Sequence, residues 1–136
     1  MQKSIGFSLI EIMFVLIITS ILTALCCLPI YSKHLTHAKR LEAEMNLIKL
    51  ASALEQYYIV NHTYQNASLN ALNFPEKIAH DQYQLVIDHA TESDFMLKAV
   101  PLNQQARNDP ACAILLLSSK GEKGITGTGQ LANCWV

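Results

Sequence analysis

The first thing this chain lacks is charge in one stretch. From Ile12 to Ser32 there is no Asp, Glu, Lys or Arg, although such residues make up 15% of the whole. About 21 residues of helix span roughly 31 Å, close to the thickness of a bilayer's hydrocarbon core. Excess charge is missing too. The formal net charge is −1, so bulk electrostatics draw the chain neither to nucleic acid nor to an anionic membrane surface. A nucleophile–base pair is absent, and the glycine-rich stretch from Gly121 to Gly129 holds no lysine followed by Ser or Thr, which excludes a phosphate loop there. At 136 residues the chain is one domain, or one domain with an appendage. Outside the apolar run there remain about 100 residues, enough for a small core.

Three kinds of segment share such an apolar run. A cleaved secretory signal has a shorter one with a small-residue exit, and Ala24 and Cys26 make a poor exit. A lipoprotein signal needs a small residue before its cysteine, whereas Leu25 precedes Cys26. A permanent span fits the length, but none of the three explains Glu11 near its front. An acidic side chain costs about 2.5–3.5 kcal/mol at the centre of a spanning helix and less near its end. Such residues usually have a function and a partner.

The run Gly6-Phe7-Ser8-Leu9-Ile10-Glu11, after the leader Met1-Gln2-Lys3-Ser4-Ile5-Gly6, resembles the processing motif of the type IV pilin family, a prepilin with a class III signal. The ending CAILLLSSKGEKG…CWV is most like minor pilins of the PilE type. The resemblance implies cleavage between Gly6 and Phe7 by an inner-membrane prepilin peptidase, which then N-methylates Phe7. The new α-amine is largely cationic at neutral pH. Four residues separate Phe7 from Glu11, so the two share a helix face. In a stagger between neighbouring subunits, the carboxylate of one meets the amine of the next in a medium of low dielectric, where the attraction far exceeds that in water. Glu11 and Phe7 are thus the expected assembly residues, with Glu11 setting the register of side-by-side helices. Charge counting points the other way on topology. Lys33, Lys39 and Arg40 follow the span, against Lys3 and the initiator amine before it, which places the N-terminus outside. The resemblance places it inside, with the head in the periplasm before assembly and on an extracellular pilus afterwards.

Beyond the span, Leu47, Leu50, Ala51, Leu54 and Tyr58 recur at helical spacing, as do Leu41, Met45 and Ile48, with Glu42, Glu44, Lys49, Glu55 and Gln56 between them. This predicts an amphipathic helix ending near residues 61–63 and continuous with the span, kinked at Pro29. Residues 64–81 read as an ordered loop with one short helix. Tyr83 to His89, Asp94 to Val100 and Ala111 to Ser119 read as strands of an antiparallel meander, with His89 to Ser93 as a turn. The expected fold class is α+β, type IV pilin-like: a long N-terminal helix packed on a three- to four-stranded antiparallel sheet. Its parts are a cleaved leader (1–6), a transmembrane and polymerisation half-helix (7–30), an amphipathic half-helix (31–62) and a globular head (63–136).

Four cysteines allow three pairings. Neighbouring helical side chains point about 100° apart, so Cys26 and Cys27 do not pair with each other and read as small apolar side chains. The resemblance implies a bridge between Cys112 and Cys134, in an oxidising compartment. It would close a loop of about 20 residues, stabilise by roughly 3 kcal/mol, and leave Trp135 as a core plug beside it. The segment Gly127 to Ala132 fits a dinucleotide fingerprint only loosely, with too little chain after it for a helix–strand unit, so Gly121, Gly124, Gly127 and Gly129 read as turns. His34 and His37 share a helix face without a third ligand, and Asp88, Glu92 and Asp94 lack the spacing of a calcium loop. No metal or cofactor is expected.

The resemblance implies a structural subunit, not an enzyme but the substrate of one. It would be a minor pilin that incorporates into or helps initiate a pilus serving motility, adhesion or DNA uptake. Its partners would be the major pilin, other minor pilins, the prepilin peptidase, the inner-membrane assembly platform, and the membrane before assembly. Alternatives are a pseudopilin of a type II secretion system and a membrane-anchored binding module that does not polymerise. Removing the leader takes away Lys3, leaving 9 basic against 11 acidic side chains, net −2. That leaves nucleic-acid binding to a local patch.

Overall fold

The computed structural model describes residues 6–136, apart from the side chains of Leu28 and Pro29. Except for Gly6, the expected leader therefore lies outside the described residues. The chain divides into two units, one reaching Leu35 and the other Thr36–Val136. Helix α1, Leu9–Asn61, contributes to both. It contains no glycine, and helical assignment continues through Pro29. The chain is helical on both sides of Pro29, the position of the expected kink.

In the first unit the apolar side chains face outward all round, Phe14, Ile18, Ile21 and Leu25 among them. The few hydroxyls are satisfied within the helix: Thr19 donates to the Val15 carbonyl (2.8 Å), Ser20 to Ile17 (2.7 Å) and Thr23 to Thr19 (2.7 Å). Hydroxyls that donate back to their own helix, as these three do, meet what a hydrocarbon solvent requires.

In the second unit, Ala43, Leu47, Leu50 and Leu54 of α1 are completely buried against the sheet. Of the two apolar stripes legible in the sequence, only this one enters the core. Leu41, Met45 and Ile48 stay exposed, because a helix lying on a sheet covers one face and these three lie off it. Arg40 and Glu44, spaced with Leu47 on the covered face, are buried as well.

The sheet has five antiparallel strands in chain order: β1 (Lys77–Ile78), β2 (Tyr83–Ala90), β3 (Phe95–Pro101), β4 (Leu115–Ser118) and β5 (Lys123–Ile125). The meander of β2, β3 and β4 is the predicted one, and two short strands extend its edges. Register pairs Leu85 with Ala99, Leu97 with Leu117 and Leu115 with Ile125. Tyr83, Leu85, Phe95, Leu97, Ala99, Leu115 and Leu117 point inward by strict alternation and meet α1. A shift of register between Ile87 and His89 marks a bulge at Asp88.

The loop from residue 62 to 76 forms turns and no helix. Its anchor is Tyr64, stacked on Tyr58 (4.7 Å between ring centres) and edge-on to Phe95 (5.0 Å). Helix α2 (Asn103–Asn108), absent from the sequence reading, fills the connection between β3 and β4. The third strand starts four residues later than expected because Ala113 is left-handed, at φ 51°. The segment before it runs close to Gly127, where a Cβ would stand 2.0 Å from the Ala111 carbonyl oxygen, so only glycine fits. Gly124, read as a turn, lies inside β5.

Candidate functional site

Two places in the chain concentrate polar chemistry, one in each unit. The first is the start of α1. The Ser8 carbonyl opens the helix by accepting the N–H groups of Glu11 (3.0 Å) and Ile12 (3.2 Å). One turn separates Phe7 from Glu11, and both line a shallow groove of about 310 Å³ completed by Ile12, Val15 and Leu16. Phe7 is 76% exposed. Among the described residues no cation pairs with Glu11. A carboxylate in an apolar wall is costly in a membrane, and such residues usually have a function and a partner.

The second place lies inside the head, where α1, α2, β2 and the C-terminal segment meet. Nη1 of Arg40 donates to both Asp109 oxygens (2.8 and 2.7 Å), and the pair is buried. The same nitrogen donates to Cys112 Sγ at 3.1 Å, and Nη2 donates to the Asn133 carbonyl at 3.4 Å. Gln105, also buried, donates from Nε2 to the Thr36 carbonyl (3.1 Å) and to the Tyr83 hydroxyl (3.1 Å). Every buried polar side-chain atom among the described residues has a partner. A pair so enclosed adds little net stability, but loss of one member leaves an uncompensated charge, costing about 3–5 kcal/mol. The network therefore fixes how the elements meet more than it adds to stability.

Cys112 and Cys134 are joined, with Cα atoms 5.5 Å apart, as the pilin resemblance implies. The bridge holds α3 (Leu131–Cys134) against the region before β4. Trp135 is buried beside it and donates from Nε1 to the Gly124 carbonyl at 3.0 Å, capping the outer strand β5. Lys123 Nζ sits 5.1 Å from the centre of its ring. The Val136 N–H donates to Glu44 Oε2 at 3.0 Å, which explains why a glutamate is buried on α1. Cys26 and Cys27 are free and exposed. Asp88 is taken up by Lys98 (2.6 Å), and Asp94 accepts from the Ser119 hydroxyl (3.2 Å). In the sequence Arg40 reads only as a charge flanking the span, and Gln105 and Asp109 carry no signal of their own. The available signal was the spacing of Arg40, Ala43, Glu44 and Leu47, which puts two charges on the face that must be covered.

The fold is shared with the Neisseria meningitidis non-core minor pilin PilV, at 21% identity and a TM-score of 0.53, over 70% of this chain and 93% of that one. A type IV pilin from Shewanella oneidensis is 30% identical over 74% of this chain and 98% of its own, with a TM-score of 0.48. No curated protein matches the chain. The prokaryotic N-terminal methylation motif matches residues 1–26. The family described as type IV minor pilin ComP, DNA uptake sequence receptor, matches residues 29–116, more than half of the chain. The chain belongs to this family of type IV minor pilins, whose members are structural subunits.

Burial pushes the Tyr83 hydroxyl from its ordinary pKa near 10 up to about 12; the Gln105 amide and Arg40 oppose the rise, and Asp109 and Glu44 add to it. A group whose pKa is raised by folding stabilises fully below its unfolded pKa, and that stability is lost as pH climbs through the folded value. Unfolding free energy should therefore fall between about pH 10 and pH 12. In Tyr83→Phe that decline should be shallower, as followed by denaturant titration at stepped pH; an unchanged slope would show that Tyr83 ionises normally.

Proposed function

We propose that this minor pilin is cleaved between Gly6 and Phe7, N-methylated on Phe7, and carried into a type IV pilus by the Phe7–Glu11 face of α1. The observation that carries the reading is the lone carboxylate of Glu11, one turn from Phe7 in an otherwise apolar groove. Cleavage converts the amide nitrogen of Phe7 into an amine that is largely cationic at neutral pH. The carboxylate of one subunit and the amine of another then neutralise each other where neither is well solvated. On this reading the parts are a leader (1–6), a transmembrane and assembly half-helix (7–30), an amphipathic half (31–62) and a head (63–136). Its partners are the major pilin, other minor pilins, the prepilin peptidase and the inner-membrane assembly platform. Before assembly the head faces the periplasm; afterwards it lies on the extracellular filament. The chain acts as a peptidase substrate and building block rather than as a catalyst.

Mass spectrometry of the chain recovered from its native membrane tests the first step. The reading expects an N-terminal methyl-phenylalanine at Phe7. An intact Met1 would overturn it.

A second reading, DNA capture on the filament, is favoured by the description of the family as a DNA uptake sequence receptor. With a net charge of −2 after leader removal (9 − 11), attraction to phosphate must come from a local patch. Exposed Lys120 at the β4–β5 turn is a candidate contact, whereas Lys123 beside it is engaged by the Val136 carbonyl at 3.1 Å. On this reading the full chain binds duplex DNA at low salt, and Lys120→Gln lowers the slope of log K against log salt by about 1. No binding at low salt would end it.

A further inference from the structure

The buried charges of the head converge on one sulfur of the disulfide and not on the other. Arg40 Nη1 donates to Cys112 Sγ at 3.1 Å. Among the described residues no N–H or O–H donates to Cys134 Sγ. A guanidinium is a donor only and stays protonated, so once the S–S bond is open it favours negative charge on the sulfur it faces. The other charged or titratable groups around the bridge are Asp109 after α2, Glu44 on α1, Tyr83 on β2 and Lys123 on β5. The two carboxylates oppose a thiolate, and Lys123 favours one. Asp109 shares Nη1 of Arg40 with Cys112 and offsets part of its charge there, while the donated hydrogen bond itself goes to Cys112 Sγ alone.

We propose that Arg40 makes the two cysteines unequal: Cys112 is the nucleophile when the bridge forms, and Cys134 is the resolving thiol. The oxidant is a thiol–disulfide oxidoreductase holding its own disulfide. The Cys112 thiolate attacks one sulfur of that disulfide, forming a mixed S–S bond and releasing the oxidant's second sulfur as a thiolate. Cys134, having given its proton to solvent, attacks Cys112 Sγ. The native bridge forms, and the oxidant's first sulfur leaves as a thiolate. The chain gives up two electrons and two thiol protons, and the oxidant ends as a dithiol. The packing fits this order. Arg40 also holds the Asn133 carbonyl, so the residue beside Cys134 docks on the same guanidinium that faces Cys112. In this order Cys112 reacts with the oxidant before the segment that carries Cys134 docks, with the guanidinium of α1 facing it. In reduction the roles reverse: attack falls on Cys134, and Cys112 leaves.

The test uses the full chain in detergent micelles with Cys26→Ser and Cys27→Ser as background, so that no other thiol reacts. Adding Cys134→Ser leaves Cys112 alone, and adding Cys112→Ser instead leaves Cys134 alone. Alkylation by iodoacetamide is followed against pH, and the midpoint is read rather than the absolute rate, because access alters only the rate. The midpoint for Cys112 should lie at least about one pH unit below that for Cys134. Arg40→Gln should bring the two together, and Arg40→Lys should keep part of the gap. Equal midpoints, or a higher one for Cys112, in protein that retains Arg40 would overturn the proposal. That comparison stands whether or not the Arg40 variants fold.

Discussion

The proposed assembly of this chain depends on one carboxylate with no cationic partner among the described residues. Glu11 sits at the front of an apolar run, beside Phe7, and no cation among the described residues pairs with it. In water such a side chain is unremarked. In hydrocarbon it costs a few kcal/mol unless a positive group arrives. The apolar run cannot supply one, since it lacks Lys and Arg from Ile12 to Ser32. On the reading proposed above, the amine of another subunit supplies that positive group, and the apolar helix serves in assembly as well as in anchoring.

The head meets a different requirement with similar means. Its core is small, so its elements are tied by a few enclosed polar contacts as well as by apolar packing. Arg40 joins α1 to Asp109 and to the C-terminal segment; Gln105 joins α2 to α1 and β2. The Cys112–Cys134 bridge and the Glu44 contact with Val136 hold the last residues in place. Trp135 caps β5 with its indole N–H, which protects an edge that would otherwise be open to pairing. Together these contacts hold the last part of the chain as a defined surface.

Much of this was legible in the residues. The span follows from the missing charges, and β2, β3 and β4 follow from alternation in β-formers. The covered stripe Leu47, Leu50 and Leu54 follows from helical spacing, but so did the exposed stripe Leu41, Met45 and Ile48. Periodicity alone does not say which of two apolar faces meets a sheet. The short elements β1, β5, α2 and α3 carry no period long enough to read; the two strands form by pairing with neighbours, Ile78 with Tyr83 in β1 and Gly124 with Leu116 in β5. Arg40, Gln105 and Asp109 were invisible for a related reason. A charged residue on a helix reads as solvated until its partner, here 69 positions away, is brought beside it.

The most direct test of the Glu11 account is the copy number of this chain in purified filaments, with Glu11→Gln compared to the unaltered protein at equal levels in the membrane. Glutamine keeps the size and removes the charge, so a pairing role predicts that the variant is processed at Gly6 yet depleted from filaments by tenfold or more, about 1.4 kcal/mol. Equal copy number in the two would contradict it.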